Sequence, residues 1–319
     1  MNQQQKNAPY LSHTLKVDKQ AVATGFKFYP LSFSWVAPHP QPKGVMQFIG
    51  GAFFGSFPTV FYRYLLEQLY LDGYTIIALP FRFTFNHWSV ASSLLREQQT
   101  LRPLLEQLAA QLGYESTVYR QSSRYSWVGH SLGCKYIALL ELLAGDPDET
   151  FQLIETYGKR PQAQTQAIQQ SLQNVSITIR DQPSLLLAPD IGDTADAIKL
   201  PFLPALLDHF GWGVLPTKKG TFDFIQHSSL FHLTAMLSFR DDHIAGSETL
   251  PPGIDNTVRT LLESLKSKLL HQEIEGAHLR PLGLALGRFV VGPISAPPWQ
   301  LVPLVFHLLQ RLQQRLAKH

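Results

Sequence analysis

The chain has 319 residues, of which 45% are hydrophobic and 16% charged, so it can bury a large core and does not have the composition of a disordered protein. Its formal net charge is only +3, and no block of Lys/Arg or basic stripe with interleaved aromatics occurs, so no nucleic-acid partner is indicated. A single cysteine, Cys134, excludes an internal disulfide framework and is compatible with a reducing compartment.

The N-terminal segment, residues 1–22, is predicted to be a mobile tail. Its first five residues are polar and lack the apolar core of a signal peptide. No stretch reaches the roughly 18 uninterrupted apolar residues of a membrane-spanning helix. We therefore predict a cytoplasmic protein.

Strand and helix patterns then alternate through the first half of the chain. Alternating apolar and aromatic residues over 26–36 predict an early strand or hairpin. Short apolar strands at 45–49 and 74–79 are separated by a helical pattern over 57–71, and a long helical pattern covers 88–112. This alternation predicts a parallel sheet with right-handed crossovers.

A glycine-rich turn, Gly50-Gly51-Ala52-Phe53-Phe54-Gly55, follows the strand at 45–49. As a dinucleotide-binding loop it has the wrong spacing, and no acidic residue closes the next strand. A tight turn without a ligand is one alternative. The interpretation we favour is an oxyanion loop, in which the backbone N–H of Ala52 or Phe53 faces the substrate carbonyl.

The strongest motif is Gly129-His130-Ser131-Leu132-Gly133, which fits G-x-S-x-G between an apolar strand at 124–128 and a helical pattern at 132–143. This context predicts a nucleophile elbow, in which a strained turn exposes the Ser131 hydroxyl. Glycines flank the serine because side chains there would collide across the turn. The N–H of Leu132, at the start of the helix, is a second oxyanion donor. A helix N-cap serine without catalytic function is the alternative.

Residues 146–230 break the regular alternation, apart from a core strand near 184–188, and are predicted to form a cap over the elbow. The core is then formed by residues 23–145 and 231–319. Arg82, Asn86 and His87, in the loop after the strand at 74–79, are interpreted either as pocket-lining or as part of a packed loop. The pocket candidates retained from the elbow, the two loops and the cap are Gly51, His130, His87, Phe210 and Trp212.

Two further strand ends carry the partners that a serine nucleophile needs. A strand at 233–239 precedes Asp241 and Asp242, a helix is predicted at 253–267, and a strand at 269–274 precedes Gly276-Ala277-His278. A neutral histidine can take the proton of a serine, and a carboxylate can orient the histidine. We predict Ser131, His278 and Asp242 in these roles, with Asp241 and Asp190 left open as alternative acids.

The order Ser, Asp, His at successive strand ends resembles the α/β-hydrolase superfamily, over about residues 44–290. The resemblance implies a mostly parallel central sheet flanked by helices, with an inserted helical or irregular cap. The segments 48–53, 62–66, 80–87 and 129–133 further resemble an uncharacterised family of oxygenic phototrophs and plastids, known as domain of unknown function 1350. That resemblance implies a cyanobacterial or plastid protein, stromal or peripheral on thylakoids.

The leading hypothesis is a serine hydrolase of a small-molecule or lipid ester or thioester with an apolar acyl or prenyl portion; the same residues would also serve a lyase or acyltransferase. No cofactor is expected, and no metal, because neither H-E-x-x-H nor C-x-x-C occurs. The alternative is a catalytically silent binding protein that helps to assemble or repair a photosynthetic membrane complex. Its docking element would be the amphipathic helix predicted at 301–316, whose other interpretation is core packing.

Overall fold

The computed structural model describes residues 25–158, 161–192, 213–251, 256–286, 289–292 and 298–318. The predicted N-terminal tail, and Phe210 and Trp212 of the predicted cap, lie outside these ranges. Among the described residues, no helix combines the length and the apolar composition needed to cross a bilayer.

An eight-stranded sheet forms the centre of the molecule. Its strands, in chain order, are β1 (Tyr29–Leu31), β2 (Ser34–Ala37), β3 (Gly44–Ile49), β4 (Tyr74–Ala78), β5 (Tyr125–His130), β6 (Ser184–Leu187), β7 (Thr234–Phe239) and β8 (Leu270–Ile274). The order across the sheet is β1-β2-β4-β3-β5-β6-β7-β8. From β4 to β8 all neighbours are parallel, whereas β1 and β2 form the antiparallel hairpin predicted from residues 26–36.

The helices that accompany the sheet, in chain order, are α1 (Pro58–Phe61), α2 (Arg63–Leu71), α3 (His87–Leu112), α4 (Leu132–Leu143), α5 (Pro147–Tyr157), α6 (Pro161–Ser171), α7 (Lys218–His227), α8 (Thr257–Leu265) and α9 (Val302–Leu316). A separate antiparallel hairpin consists of β9 (Leu284–Leu286) and β10 (Phe289–Val291). The bounds agree with the sequence-based elements to within a few residues, except over residues 57–71.

The helix predicted over residues 57–71 is two helices, because the chain leaves helical geometry at Tyr62 (φ −113°, ψ 15°). This break separates α1 from α2. Tyr62 itself is fully buried and its hydroxyl points back toward the loop after β3, where it accepts a hydrogen bond from the N–H of Gly51 at 2.8 Å.

Apolar side chains on the two faces of the sheet form two cores. One face is covered by α3, α4 and α8, and the other by α2 and α9. The apolar face of α9 is buried, with Val305, Leu308 and Leu312 fully or almost fully removed from solvent. The core-packing interpretation of this helix is therefore confirmed, and its apolar face is not available to a membrane.

The chain between β5 and β7 contains α4, α5, α6, β6 and α7, so the two helical stretches predicted between residues 146 and 181 are present. The buried Lys135 of α4 forms hydrogen bonds to the chain that follows β6. Its ammonium donates hydrogen bonds to the carbonyls of Gly192 at 3.1 Å and Pro216 at 2.9 Å, the two sides of the span 193–212. That residues 146–230 act as a cap stays a prediction.

Candidate active site

Ser131 lies between the end of β5 and the start of α4, in a strained conformation with φ 53° and ψ −124°. A non-glycine residue with positive φ of this kind costs about 1–3 kcal/mol and persists only where its surroundings hold it. Backbone hydrogen bonds do so here: the N–H of Ser131 donates to the carbonyl of Leu187 at 3.0 Å, and the N–H of Cys134 donates to the carbonyl of Ser131 at 3.0 Å. The serine is held on a sharp strand-to-helix turn.

The glycines on either side of Ser131 are required by close packing. A Cβ on Gly133 would lie 2.2 Å from the carbonyl oxygen of Ile49, and a Cβ on Gly129 would lie 2.7 Å from Cδ1 of Ile137. Real Cβ atoms do not approach backbone oxygens so closely, so the turn can form only with glycine at position 133. The two free positions of the motif, His130 and Leu132, are both buried.

The structure brings His278 to Ser131 from the turn after β8, three strands away from β5 in the sheet. His278 follows β8 through a turn in which Gly276 has φ 124°, a conformation that favours glycine. Its Nε2 lies 2.8 Å from Oγ of Ser131, and its Nδ1 lies 2.8 Å from Oδ2 of Asp242. Because a carboxylate only accepts, Nδ1 carries the proton and Nε2 is free to accept from the serine hydroxyl.

The carboxylate that contacts His278 belongs to Asp242 and not to the alternatives. Asp242 is fully buried after β7, and its Oδ1 accepts hydrogen bonds at 2.9 Å from the N–H groups of Ile244 and Ala245. Asp241 is exposed, and Asp190 approaches the elbow through its backbone, whose N–H lies 3.3 Å from the carbonyl of Ser131. The two backbone donors fix the Asp242 carboxylate in one orientation.

Three backbone N–H groups near Ser131 have no hydrogen-bond acceptor among the described residues: those of Ala52, Phe53 and Leu132. The loop after β3 touches the serine, since a Cβ on Gly51 would lie 3.0 Å from the Cβ of Ser131. Phe53 adopts φ 62°, a second strained residue in this loop. Because the N–H of Gly51 is bonded to Tyr62, the donors left in this loop are the two that were predicted, Ala52 and Phe53.

The two histidines predicted to line a pocket are buried. Both ring nitrogens of His130 are hydrogen-bonded to protein, so neither remains for a ligand. His87 packs against Tyr136 of α4, with ring centroids 5.4 Å apart, and burial lowers the pKa of His87 to about 2, assisted by the charge of Lys135. The structure therefore places Gly51 and His130 next to Ser131. It places His87 beside Lys135 and Tyr136 of α4 instead.

The loop after β4 lines cavities that do not include Ser131. Arg82 lines a cavity of about 510 Å³ between this loop and α3, and Asn86 lines one of about 250 Å³ between α3 and α6. The aromatic side chains of the loop reach the oxyanion loop instead. Phe53 is 72% exposed and stacks on Phe83 at 5.3 Å, and Phe83 contacts Phe85 at 5.9 Å.

Sequence reasoning missed Tyr62, whose hydroxyl lies 2.7 Å from Nδ1 of His130 and meets the N–H of Gly51. It occurs in an ordinary amphipathic stretch and carries no local signal. Cys134 is buried, as its place in the helix indicates, and burial raises the pKa of its thiol well above the usual value, which keeps it protonated. Across the described ranges, no three His, Cys, Asp or Glu side chains come together in the way a metal site requires.

Two esterases and a sugar hydrolase are among the solved structures with a similar fold. An esterase of the planctomycete Thermogutta terrifontis, solved with butyrate bound, superposes with a TM-score of 0.50 at 14% identity, covering 90% of this chain and 94% of that one. The esterase Pf2001 of Pyrococcus furiosus has a TM-score of 0.48 at 13% identity, with 92% and 94% covered. A sugar hydrolase, YeeB, of Lactococcus lactis has the same TM-score and identity, with 92% and 99% covered.

At such identities the similarity concerns the fold alone, which is that of the α/β-hydrolases. No curated protein matches the chain by sequence. The family model described as "Protein of unknown function (DUF1350)" matches residues 28–316, which is nearly the whole described chain. The chain therefore belongs to the DUF1350 family and has an α/β-hydrolase fold.

Proposed function

We propose that this protein is a serine hydrolase that cleaves a carboxylic ester or thioester with an apolar acyl or prenyl portion. The observation that carries the proposal is the hydrogen-bonded series Ser131 Oγ, His278 Nε2, His278 Nδ1 and Asp242 Oδ2, with 2.8 Å at each contact. A serine hydroxyl alone is a weak nucleophile, and an adjacent base held by a carboxylate is the arrangement that activates it.

In the first half of the reaction, Oγ of Ser131 attacks the carbonyl carbon while its proton passes to Nε2 of His278. Asp242 stabilises the resulting imidazolium through Nδ1–H. The negative charge on the former carbonyl oxygen is met by the N–H of Leu132 and by the N–H of Ala52 or Phe53, which are directed by the backbone and need no reorganisation. The intermediate then collapses, and His278 returns the proton to the departing alcohol or thiol.

In the second half, a water molecule gives its proton to His278 and attacks the acyl-serine. The same N–H groups stabilise the second tetrahedral intermediate, and its collapse regenerates the Ser131 hydroxyl and releases the acid. Ser131 and His278 are each only 6% exposed, so most of both side chains is shielded from bulk water. Each proton in this scheme moves through His278.

The proposed apolar substrate is supported by the aromatic surface next to the oxyanion loop. Phe53 adjoins Ala52 in sequence and presents most of its ring to solvent, backed by Phe83 and Phe85. Exposed contiguous aromatic surface is uncommon on soluble proteins and often marks a binding site. An acyl or prenyl chain that extends from the bound carbonyl group along this surface would cover these aromatic rings.

The test is covalent labelling with a fluorophosphonate probe, which reacts with activated serines. We expect labelling of the native protein and none of Ser131→Ala or His278→Ala. Ser93→Ala and His307→Ala, which change exposed residues on α3 and α9, are matched controls and should label as the native protein does. Absence of labelling in the folded native protein, or labelling that survives in Ser131→Ala, would contradict the proposal.

An unlabelled native protein would favour the second candidate function, a binding protein for a partner such as a photosynthetic membrane complex. The observation in its favour is further exposed apolar surface at Phe33, Phe57 and Leu71, which are 86%, 62% and 66% exposed. Salt-sensitive sedimentation with thylakoid membranes that is lost in Phe57→Ser would support it. The apolar face of α9 does not contribute to this surface because the core covers it.

A further inference from the structure

A buried chain of hydrogen bonds runs behind the candidate active site and has one consistent set of donors and acceptors. The carbonyl oxygen of His278 lies 2.9 Å from Nε2 of His130, and since a carbonyl only accepts, this nitrogen carries a proton. In a neutral ring Nδ1 then accepts, so the Tyr62 hydroxyl donates to it at 2.7 Å. The same hydroxyl oxygen accepts from the N–H of Gly51 at 2.8 Å.

Burial keeps both side chains of this chain of bonds in their neutral forms. Tyr62 and His130 are 0% and 1% exposed. Burial lowers the pKa of His130 to about 3, the nearby His278 adds to the effect, and the bond to the His278 carbonyl opposes it. Burial also raises the pKa of Tyr62 above its usual value. The donor and acceptor pattern therefore does not change across the neutral pH range.

The two ends of the chain are the parts of the site that must be aligned with Ser131. At one end, Gly51 touches Ser131 and precedes Ala52, a candidate oxyanion donor. At the other end is the backbone of His278, whose ring reaches Ser131. His130, in the middle, is the residue directly before Ser131, and its ring lies 5.1 Å from that of His278.

The sheet topology separates the two segments that this chain of hydrogen bonds connects. β8, which leads to His278, is separated from β5 by β6 and β7, so the turn that carries the histidine must extend back over two strands to reach Ser131. The pairing of β7 with β8 ends at Phe239 and Ile274, and beyond it the N–H of Asp241 donates to the carbonyl of Gly276 at 2.9 Å. The bond from His130 to the carbonyl of His278 joins the turn directly to the residue beside the nucleophile.

We propose that Tyr62 and His130 are positioning residues, which hold the His278 turn and the oxyanion loop in alignment with Ser131. The inference rests on the proposed hydrolase function, and neither residue exchanges a proton with substrate. Displacements of about 1 Å in an active site can reduce rates by about 100-fold. We therefore expect Tyr62→Phe, which removes a single oxygen, to slow the reaction about 10- to 100-fold by lowering kcat more than it raises KM.

The experiment compares Tyr62→Phe with Tyr70→Phe, which removes the hydroxyl of another buried tyrosine of the same helical segment, away from Ser131. The first measurement is the second-order rate of fluorophosphonate labelling as a function of pH. The second is the ¹⁵N–¹H spectrum of the histidine side chains, which reports the tautomer of His130 and the hydrogen bonding of His278 without any reaction. We expect slower labelling and altered His278 signals in Tyr62→Phe alone.

The outcomes separate this inference from the proposed function. Native protein that labels, with Tyr62→Phe matching it in rate, pH profile and His278 signals, would overturn the positioning role and leave the hydrolase standing. Native protein that does not label would remove the hydrolase, and the spectra alone would then decide whether Tyr62 positions His278. If Tyr62→Phe does not fold, His130→Gln keeps a donor near the Nε2 position and His130→Asn does not, so only His130→Gln should retain native His278 signals.

Discussion

The geometry around Asp242 predicts that Asp242→Asn nearly abolishes activity by reversing the tautomer of His278. Oδ1 of Asp242 accepts from two buried backbone N–H groups, those of Ile244 and Ala245, whereas Oδ2 accepts from Nδ1–H of His278. An asparagine must keep its oxygen at the Oδ1 position, because an NH₂ group there would face two donors. Its NH₂ group therefore points at Nδ1 of His278.

The consequence can be followed to the nucleophile. Nδ1 of His278 must then accept a hydrogen bond, so the proton of the neutral ring moves to Nε2, which lies 2.8 Å from Oγ of Ser131. A protonated Nε2 cannot take the serine proton. The equivalent loss of the correct tautomer in a serine protease lowers kcat by about 10⁴-fold, and we expect a similar factor here, or about 5 kcal/mol in activation free energy.

The assay is the labelling rate with a fluorophosphonate, followed by hydrolysis of a short apolar ester. The control is Asp241→Asn, one residue away on an exposed side chain, which should leave the rate within about twofold because no catalytic contact is lost. An Asp242→Asn rate within tenfold of native would refute the reasoning, and a large loss in Asp241→Asn instead would reassign the acid. Both variants should unfold cooperatively, which circular dichroism checks.

Three further predictions concern packing and buried charge. Gly51→Ala should fold but lose about 100-fold in labelling rate, because the new Cβ would lie 3.0 Å from the Cβ of Ser131. Gly133→Ala places a Cβ 2.2 Å from the carbonyl oxygen of Ile49, so it should lose several kcal/mol of stability and yield little folded protein on expression. Burial lowers the pKa of His130 to about 3 and that of His87 to about 2, whereas a histidine in the unfolded chain has a pKa near 6.5, so below about pH 6.5 the unfolded state binds more protons than the folded state. Urea unfolding should therefore show the free energy of unfolding falling as the pH drops below 6.5, by about 2 kcal/mol per histidine at about pH 5. A free energy of unfolding that does not change over this range would contradict the prediction. Burial raises the pKa of Glu141 to about 7, although a hydrogen bond from a backbone N–H opposes the shift, so between about pH 4.5 and 7 the folded state keeps a proton that the unfolded state has lost, and stability declines as the pH rises through this range. Glu141→Gln should therefore be more stable than the native protein by up to about 3 kcal/mol at pH 8 and similar to it at pH 5. An equal difference in stability at both pH values would exclude a buried titrating carboxyl.

Much of the fold follows from local sequence patterns. The strand at Gly44–Ile49 and the helix at Leu132–Leu143 were predicted almost to the residue, because continuous apolar runs bounded by glycine and helical apolar spacing are local properties of the chain. The G-x-S-x-G spacing likewise predicted a strained serine. Gly129 is required by contacts with Cys134 and Ile137 in the same strand–turn–helix unit, whereas Gly133 is required by a contact with Ile49 of β3. The order of Ser131, Asp242 and His278 followed from strand ends that the sequence marks clearly.

Only the tertiary structure showed which distant segments contact each other. Asp241 and Asp242 are neighbours in the same turn, and only the packing of that turn on β8 shows which carboxylate is buried against His278. Tyr62 carried no signal in the sequence because a buried aromatic at helical spacing is ordinary, and its function depends on His130, 68 residues later. Sequence patterns determine which residues share an element, whereas hydrogen bonds between loops depend on how separate elements pack, and no local pattern encodes that.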